Sequence, residues 1–275
     1  GAAARGDSAQ TTAAPAKPAP PAMFKLAIDR EALAATEPLT LEALAWSADG
    51  RTLALSGRLG SQPGVGLVDL ASATDTQWVR QRVAPRQFVF SRSARMLAWP
   101  TEGRAAVLCP LQSRQLLNLE TSYNSAAHAT GVAFSPHGNL LATGSSDGLL
   151  RLWKTNSGSM GTSANVASQI LALDWAETML AAAVAPGEVA LFDENAVPRG
   201  KVALPAGSIA ALALSPRDSL LAVATTGPAA LVWIDWKTRS AEHTRELPAP
   251  PSACRWSPDG KYLAVALSGP ADAPA

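Results

Sequence analysis

The sequence has 275 residues, of which 47% are hydrophobic and 16% are charged, so it predicts a folded chain with a substantial core. Its 23 basic and 22 acidic residues are spread along the chain and give a formal net charge of +1. This balance argues against a surface dedicated to nucleic acid. No run of about 18 apolar residues occurs, so the sequence predicts no membrane-spanning segment.

The N-terminal end differs in composition from the rest. Residues 1–22 are rich in Ala and Pro and contain no large apolar side chain. Such a segment cannot bury enough surface to offset its ordering entropy, so a disordered arm is predicted there. Residues 23–39 are predicted to connect this arm to the remainder, with a strand at 23–28 and a short helix at 29–37.

A similar phrase recurs six times between residues 41 and 267. In each copy a large apolar residue precedes a turn, and we call these the landmark residues: Trp46, Phe90, Phe134, Trp175, Leu214 and Trp256. Successive landmarks are 44, 44, 41, 39 and 42 positions apart. A period near 40 that persists over the array indicates a repeated supersecondary unit.

Each repeat reads as a set of short strands. Apolar residues alternate with a period of two, and turns with Ser, Asp, His and Gly separate the first two strands. Third strands are predicted at 65–70, 104–111, 149–153, 188–193 and 229–235, and fourth strands at 76–81, 115–120 and 199–204. Four strands per repeat predict an all-β fold, a β-propeller of four-stranded blades over residues 40–275, with five full repeats and a partial sixth.

The third repeat, residues 130–154, resembles a WD repeat. It has a hydrophobic strand, a Ser-Pro-x-Gly turn, the run LLATGSSDG and a strand that ends near Trp153. The resemblance implies that Thr143, Asp147 and Trp153 belong to a hydrogen-bonded line that ties the strands of a blade together. His128 does not match the position of the family's histidine. The likeness extends, more weakly, over residues 40–267.

The array is predicted not to close. The sixth repeat stops at Leu267 after two strands. By the resemblance, an N-terminal strand completes the last blade, and 23–28 is the candidate. Even then this blade would have three strands, so we expect a longer parent protein whose ring has seven or more blades. The alternative is a six-bladed ring with a thin last blade.

The sequence predicts no catalytic residue, metal site or cofactor. Residues 144–148 fit the pattern G-x-S-x-G, but that nucleophile motif needs a helix after it and strands flank it here. The three His residues are too dispersed for a metal site. Cys109 and Cys254 are interpreted as small buried residues rather than a disulfide. The densest basic group, Arg80, Arg82 and Arg86, is interpreted as a solvated edge strand.

Residues four and six positions before each landmark are predicted to surround one mouth of the central channel. The resemblance implies that this face binds peptides and partner proteins. The candidate partner-binding residues are Glu42, Arg86, His128, Thr130, Gln169, Ser208 and Ser252. The alternative interpretation is that these loops only cap the strands.

The sequence therefore favours a non-enzymatic scaffold that mediates protein–protein interactions in a multi-subunit assembly. Two other classes stay open: a recognition or gating domain of a larger peptidase or kinase, and a subunit of an RNA-processing or nucleoprotein complex. The expected location is intracellular, cytoplasmic or nuclear.

Overall fold

The computed structural model describes residues 39–69, 76–93, 95–102, 104–120, 127–204 and 207–268. Within these ranges the chain forms 22 strands, all joined to their neighbours in antiparallel ladders. Among the described residues there is no helix that is long and apolar enough to cross a membrane. The arm predicted at 1–22 and the strand and helix predicted at 23–28 and 29–37 lie outside the described residues.

Five sheets contain four strands and the sixth contains two, and in every sheet strands that are consecutive in sequence are neighbours. Blade 1 comprises β1 (Leu39–Trp46), β2 (Thr52–Leu59), β3 (Gln62–Asp69) and β4 (Thr76–Arg80). Blade 2 comprises β5 (Val89–Phe90), β6 (Met96–Thr101), β7 (Arg104–Pro110) and β8 (Leu117–Leu119). Blade 3 comprises β9 (Ala129–Phe134), β10 (Leu140–Ser145), β11 (Leu149–Lys154) and β12 (Met160–Asn165). Blade 4 comprises β13 (Ile170–Ala176), β14 (Met179–Val184), β15 (Glu188–Phe192) and β16 (Pro198–Ala203). Blade 5 comprises β17 (Ser208–Leu214), β18 (Leu220–Thr226), β19 (Ala230–Asp235) and β20 (Ser240–Glu246). Blade 6 comprises β21 (Pro251–Trp256) and β22 (Leu263–Leu267).

The turn between the first two strands is built by the small polar residues of the repeat. In blade 1, the Ser47 hydroxyl donates to the Asp49 carboxylate at 2.6 Å and accepts the backbone N–H of Thr52 at 2.9 Å. Gly50 has φ +69°, a conformation that glycine adopts without steric cost. The turn of blade 6 has the same hydrogen bonds at Ser257, so the Ser and Asp that recur in the sequence form the same hairpin turn in both blades.

A Leu-Ala pair at one register position of the second strand forms the contact between successive blades. In every blade a leucine of the second strand pairs with the landmark residue of the first strand, and the residue after this leucine is an alanine. The six pairs are Leu53-Ala54, Leu97-Ala98, Leu141-Ala142, Leu180-Ala181, Leu221-Ala222 and Leu263-Ala264. The leucine packs toward the preceding blade and the alanine toward the following one. Leu141 thus shares a buried cluster with Ala98, and Leu180 shares one with Ala142.

The six repeats meet around a common axis. A cavity of about 320 Å³ is lined by residues from every blade, including Ala48 of the first turn and the landmarks Phe90, Phe134, Trp175, Leu214 and Trp256. Sheets that pack face to face around a shared cavity form a β-propeller, which confirms the fold class predicted from the period. Trp46 does not line this cavity.

The blade 6 to blade 1 seam is open within the described residues. Ala264 is exposed, whereas its register equivalents Ala54, Ala98, Ala142, Ala181 and Ala222 are completely buried. On β1, Leu44 and Trp46 are 58% and 55% exposed. No ladder between described residues joins the two blades, and the number of blades in a longer parent protein stays a prediction.

Blade 2 departs from the regular plan of the four-stranded blades. The inner strand of blade 2, β5, contains two residues, whereas the other inner strands contain six to eight.

The fourth strands of blades 3 and 5, β12 and β20, were not assigned from the sequence. Every residue of β20 is exposed and most of β12 is, so neither strand carries the apolar alternation that marks a half-buried strand.

Cys109 on β7 and Cys254 on β21 are both free and buried, which confirms the interpretation made from their spacing. Burial raises the pKa of Cys109 to about 11 and that of Cys254 to about 12. Both thiols are therefore protonated at neutral pH and pack as small apolar groups.

A carboxylate at the turn end of the channel joins blades 4, 5 and 6. Asp174 on β13 accepts the backbone N–H of Leu214 at 2.8 Å, and its Oδ1 lies 3.6 Å from Nη1 of Arg255. Burial raises the pKa of Asp174 above its ordinary 3.8, and the charge of Arg255 opposes this only in part. Trp256 adds a second tie, because its Nε1 donates to the Ala213 carbonyl at 3.0 Å.

We expect Ala142→Leu to lower the free energy of unfolding by about 1–3 kcal/mol, because the longer side chain overpacks the contact between blades 3 and 4. Ala264→Leu is the matched control: it makes the same change at the equivalent register position of blade 6, where the side chain is exposed. Denaturant unfolding of both variants measures the difference. Equal effects of the two substitutions would contradict the packing described here.

We expect the difference in Tm between the wild type and Asp174→Asn to fall as the pH rises from about 4 to about 7. A carboxyl whose pKa is raised by folding holds its proton more tightly in the folded state, so its contribution to stability decreases as the pH rises through that raised pKa. The Asn amide oxygen can still accept the N–H of Leu214. Thermal unfolding across this range measures the trend.

Arg255→Gln is the companion variant, because it removes the positive charge that opposes the raised pKa of Asp174. The stability that the protonated Asp174 contributes should then fall by more over the same pH range. A wild-type advantage over Asp174→Asn that grows with pH would show that the carboxylate is stabilised in its ionised form.

Candidate protein-interaction face

At the end of the channel opposite the turns between first and second strands, the mouth opens into a cavity of about 830 Å³. Four of the seven predicted partner-binding residues line it: Arg86, His128, Thr130 and Gln169. They come from blades 2, 3 and 4, where the chain enters each inner strand. We call the lining of this cavity the mouth face. Its walls also include the end of β6 and the middle residues of β7 and β8, Val107 and Asn118.

Glu42, Ser208 and Ser252 lie on blades 1, 5 and 6 and are not among the lining residues of this cavity. The carboxylate of Glu42 is 3.9 Å from Nε of Arg58, a long and solvent-exposed ion pair that contributes little to stability. The Ser252 hydroxyl is 3.5 Å from the Ala266 carbonyl within its own blade. The structure thus brings four of the seven residues together on one cavity and leaves three outside its lining, and the binding role of the whole set stays a prediction.

Thr130 is a contact between blades as well as a lining residue. Its hydroxyl lies 2.5 Å from the Ile170 carbonyl of blade 4 and 3.1 Å from the Gly144 carbonyl of its own blade. A hydroxyl has one proton, so the shorter contact takes it. The proton of Thr130 thus joins blades 3 and 4.

His128 is held at the rim by a turn of its own blade. Its backbone N–H donates to the Ser146 hydroxyl at 3.2 Å, and its carbonyl accepts the Ser146 N–H at 3.0 Å. The Ser146 hydroxyl is also 3.4 Å from Nδ1 of the imidazole. Ser146 is the central residue of the G-x-S-x-G pattern, and it lies in a turn between the strands β10 and β11, as the sequence indicated.

A basic segment forms one wall of the mouth face. Arg80 ends the edge strand β4, whereas Arg82 and Arg86 lie in the irregular segment 81–88 that leads to β5. All three are exposed and line the cavity, together with the carboxylate of Glu102. The interpretation of this group as an edge strand holds only for Arg80. The close spacing of these three arginines in the sequence was the signal from which their place at the site could have been predicted.

The predicted hydrogen-bonded line in blade 3 consists of two separate networks. In the first, the buried Trp153 donates its Nε1–H to the Thr143 hydroxyl at 2.9 Å. In the second, Asp147 accepts hydrogen bonds from the Ser145 hydroxyl, from the Leu149 N–H at 3.0 Å and from Nη2 of Arg151 at 3.3 Å. Asp147 is not bonded to Trp153, so loss of the indole would leave the Thr143 hydroxyl, not this carboxylate, without its partner.

Arg151 explains why the carboxylate belongs to the second network. Its guanidinium is buried and also donates to the Ser145 hydroxyl at 3.0 Å. Burial alone would raise the pKa of Asp147, but the hydrogen bonds from Ser145 and Leu149 and the charge of Arg151 hold it below its ordinary value. Burial of this arginine could not be predicted from the sequence, because its neighbours Leu150 and Leu152 are those of an ordinary core strand.

The described residues contain no group of three His, Cys, Asp or Glu side chains placed to hold a metal ion. The polar groups of the mouth face are guanidinium, amide and hydroxyl groups, with one carboxylate and one imidazole. These groups are suited to recognising carboxylates and peptide bonds through hydrogen bonds.

We expect Trp153→Ala to lower the free energy of unfolding by about 3–5 kcal/mol, because it leaves a cavity in the contact between blades 2 and 3. Trp153→Phe should cost less, about 1–3 kcal/mol, since it chiefly orphans the buried Thr143 hydroxyl. Trp46→Ala, at a landmark that is 55% exposed, serves as the control. A loss at Trp46 equal to that at Trp153, measured by denaturant unfolding, would be inconsistent with this assignment.

Residues 119–154 match the family model described as WD domain, G-beta repeat. The match runs from the last residue of β8 to the end of β11 and contains the Thr143–Trp153 bond. No curated protein matches the chain in sequence.

Solved structures resemble the chain in fold. One is a chain of the "Crystal Structure of Mitotic Checkpoint Complex", with 17% identity and a TM-score of 0.69, over 83% of this chain and 72% of that chain. Another is the β-propeller domain of Myceliophteria thermophila Cps50 (Swd1), with 16% identity and a TM-score of 0.70, over 83% of this chain and 80% of that chain. At these identities the likeness shows the fold. The chain therefore contains a segment that matches the WD40 repeat, in its third blade, and it has the fold of a β-propeller.

Proposed function

We propose that this chain is a non-enzymatic scaffold that binds segments of partner proteins on its mouth face. The observation that carries the proposal is the cavity of about 830 Å³. Hydrogen-bonding side chains line it where the chain enters the inner strands of blades 2, 3 and 4. Its volume lies in the range of pockets that bind ligands. The general role agrees with the family, whose propellers typically mediate contacts between proteins.

The rim is fixed before any partner arrives. His128 is held by both of its backbone groups to the turn at Ser146, and Thr130 is held to the next blade. A rigid rim loses little conformational entropy when it binds, and this favours affinity for a flexible segment. These contacts therefore support a recognition surface rather than loops that only cap strands.

The chemistry of the mouth face supports binding over catalysis. The carboxylate of Glu102 and the imidazole of His128 belong to different blades. Ser146, whose hydroxyl lies 3.4 Å from the imidazole, already accepts a backbone hydrogen bond and lies in a turn between strands. One of the similar structures is that of a protein complex, the mitotic checkpoint complex, which is consistent with a role in assembly.

The test compares proteins that co-purify with the full chain and with two double variants. Arg86→Glu/His128→Glu alters the mouth face. Arg92→Glu/His137→Glu makes the same two changes at exposed positions on the turn side of the blades. We expect quantitative mass spectrometry to show that the first variant loses partners by about tenfold or more, because like charge and lost contacts oppose docking.

The turn-side variant should retain those partners. Equal recovery with both variants would place the interaction elsewhere on the molecule and contradict the proposal. Recovery that depends on RNA, and disappears after ribonuclease treatment, would favour the nucleoprotein alternative.

A further inference from the structure

The inner strand of blade 2 is broken where it should reach the mouth. β5 pairs with β6 only through Val89 with Ala98 and Phe90 with Leu97. In blade 3 the corresponding ladder continues to the mouth, as far as Ala129 with Ser145. On β6, Pro100 and Thr101 therefore extend beyond the last described pair of the inner ladder, and both line the cavity.

Two prolines account for the break. Pro100 has no N–H to donate to a neighbouring strand, and prolines within sheets are found at edges and irregularities. The ladder between β6 and β7 is also irregular here, between Trp99 and Thr101. Pro85 fixes one φ angle in the segment 81–88 that replaces the missing strand.

The core beneath the break stays closed. Phe88 packs edge-on against the buried Trp99, with ring centroids 6.1 Å apart and an angle of 78° between the ring planes. The break therefore produces a recess in the mouth face without opening the interior. The part of the mouth face lined by Arg80, Arg82, Arg86, Pro100 and Thr101 we call the blade 2 recess.

Positive charge is concentrated in the blade 2 recess. It contains three arginines, and the only acidic residue among the described residues of the cavity lining is Glu102, whereas the whole chain carries a net charge of +1. Within the part of the chain that the structure describes, no ion pair involves any of the three guanidinium groups. A guanidinium binds a carboxylate through two parallel hydrogen bonds, so it is suited to an acidic ligand.

We propose that the blade 2 recess binds an extended acidic segment of a partner protein, with its Asp or Glu carboxylates on Arg80, Arg82 and Arg86. The inference rests on the proposed function and adds the chemistry of the partner. A protein segment fits better than RNA, because the positive charge is confined to one cavity. A polynucleotide needs basic groups spread along its length, and the balanced charge of this chain offers no such stripe.

The test uses fluorescent peptides of about eight residues, long enough to extend across the recess at about 3.3 Å per residue. One peptide alternates Asp and Glu with Gly and Ser, and the other replaces each acid with its amide. We expect the full chain to bind the acidic peptide at least about tenfold more tightly, measured by fluorescence anisotropy at low salt. Equal affinity for the two peptides, or no detectable binding of the acidic one, overturns the inference.

The site is tested with two triple variants of equal charge. Arg80→Gln/Arg82→Gln/Arg86→Gln should weaken binding of the acidic peptide by about tenfold or more. Arg92→Gln/Arg95→Gln/Arg245→Gln removes three exposed arginines outside the recess and should leave the affinity within about twofold. The Tm of each variant checks that it is folded. Equal losses in the two variants would indicate a nonspecific charge effect and overturn the inference.

An oligouridylate of the same net charge is the competitor. If it displaces the peptide at lower concentration than the unlabelled peptide does, the recess recognises nucleic acid and the inference fails. If the acidic peptide shows no preference while the mouth face still determines which proteins co-purify, this inference fails and the scaffold proposal stands.

Discussion

The packing of a leucine on one blade against an alanine on the blade before it determines the architecture of the chain. At this register position Leu97, Leu141, Leu180 and Leu221 each share a cluster with the alanine of the preceding blade and are fully buried. A large side chain toward one neighbour and a small one toward the other let sheets stack at close distance in one direction around an axis. The exception is the open seam, where Ala264 is exposed and Leu53 belongs to a small separate cluster.

This rigid stack explains why the two ends of the channel differ. At the turn end, Asp174 and Trp256 tie three blades together, and the short turns leave a small cavity lined by landmark residues. At the mouth end, the interruption of β5 leaves a larger cavity with arginines on its wall. The packing between sheets keeps blade 2 in place despite its incomplete ladder, because Phe88, Leu97 and Trp99 remain in the cluster shared with blade 1. This packing therefore tolerates one irregular strand at the mouth of the channel.

The sequence predicted the fold because its period records a physical unit. Landmarks such as Phe134 and Trp175 recur at the end of the inner strand, and Ser-x-Asp-Gly forms the first hairpin turn in blades 1 and 6. The site was predicted only in part. Counting back from the landmarks assumed six equivalent inner strands, whereas the inner strand of blade 2 is short where it would pass Pro100 of β6. The lining of the cavity does not include Glu42 or Ser252. The pairing of Asp147 with the buried Arg151 depends on side chains that meet across a turn, which periodicity does not encode.

Amide hydrogen exchange of the full chain can show whether stacked second strands support a blade with a broken inner strand. We expect the slowest exchange in β10, β14 and β18. Exchange should be fast at residues 86–88 and at Thr101, while residues 129–134 of the intact inner strand are protected. Protection of residues 86–88 equal to that of residues 129–134 would show that the inner ladder of blade 2 is continuous, and would contradict both the broken strand and the recess built on it.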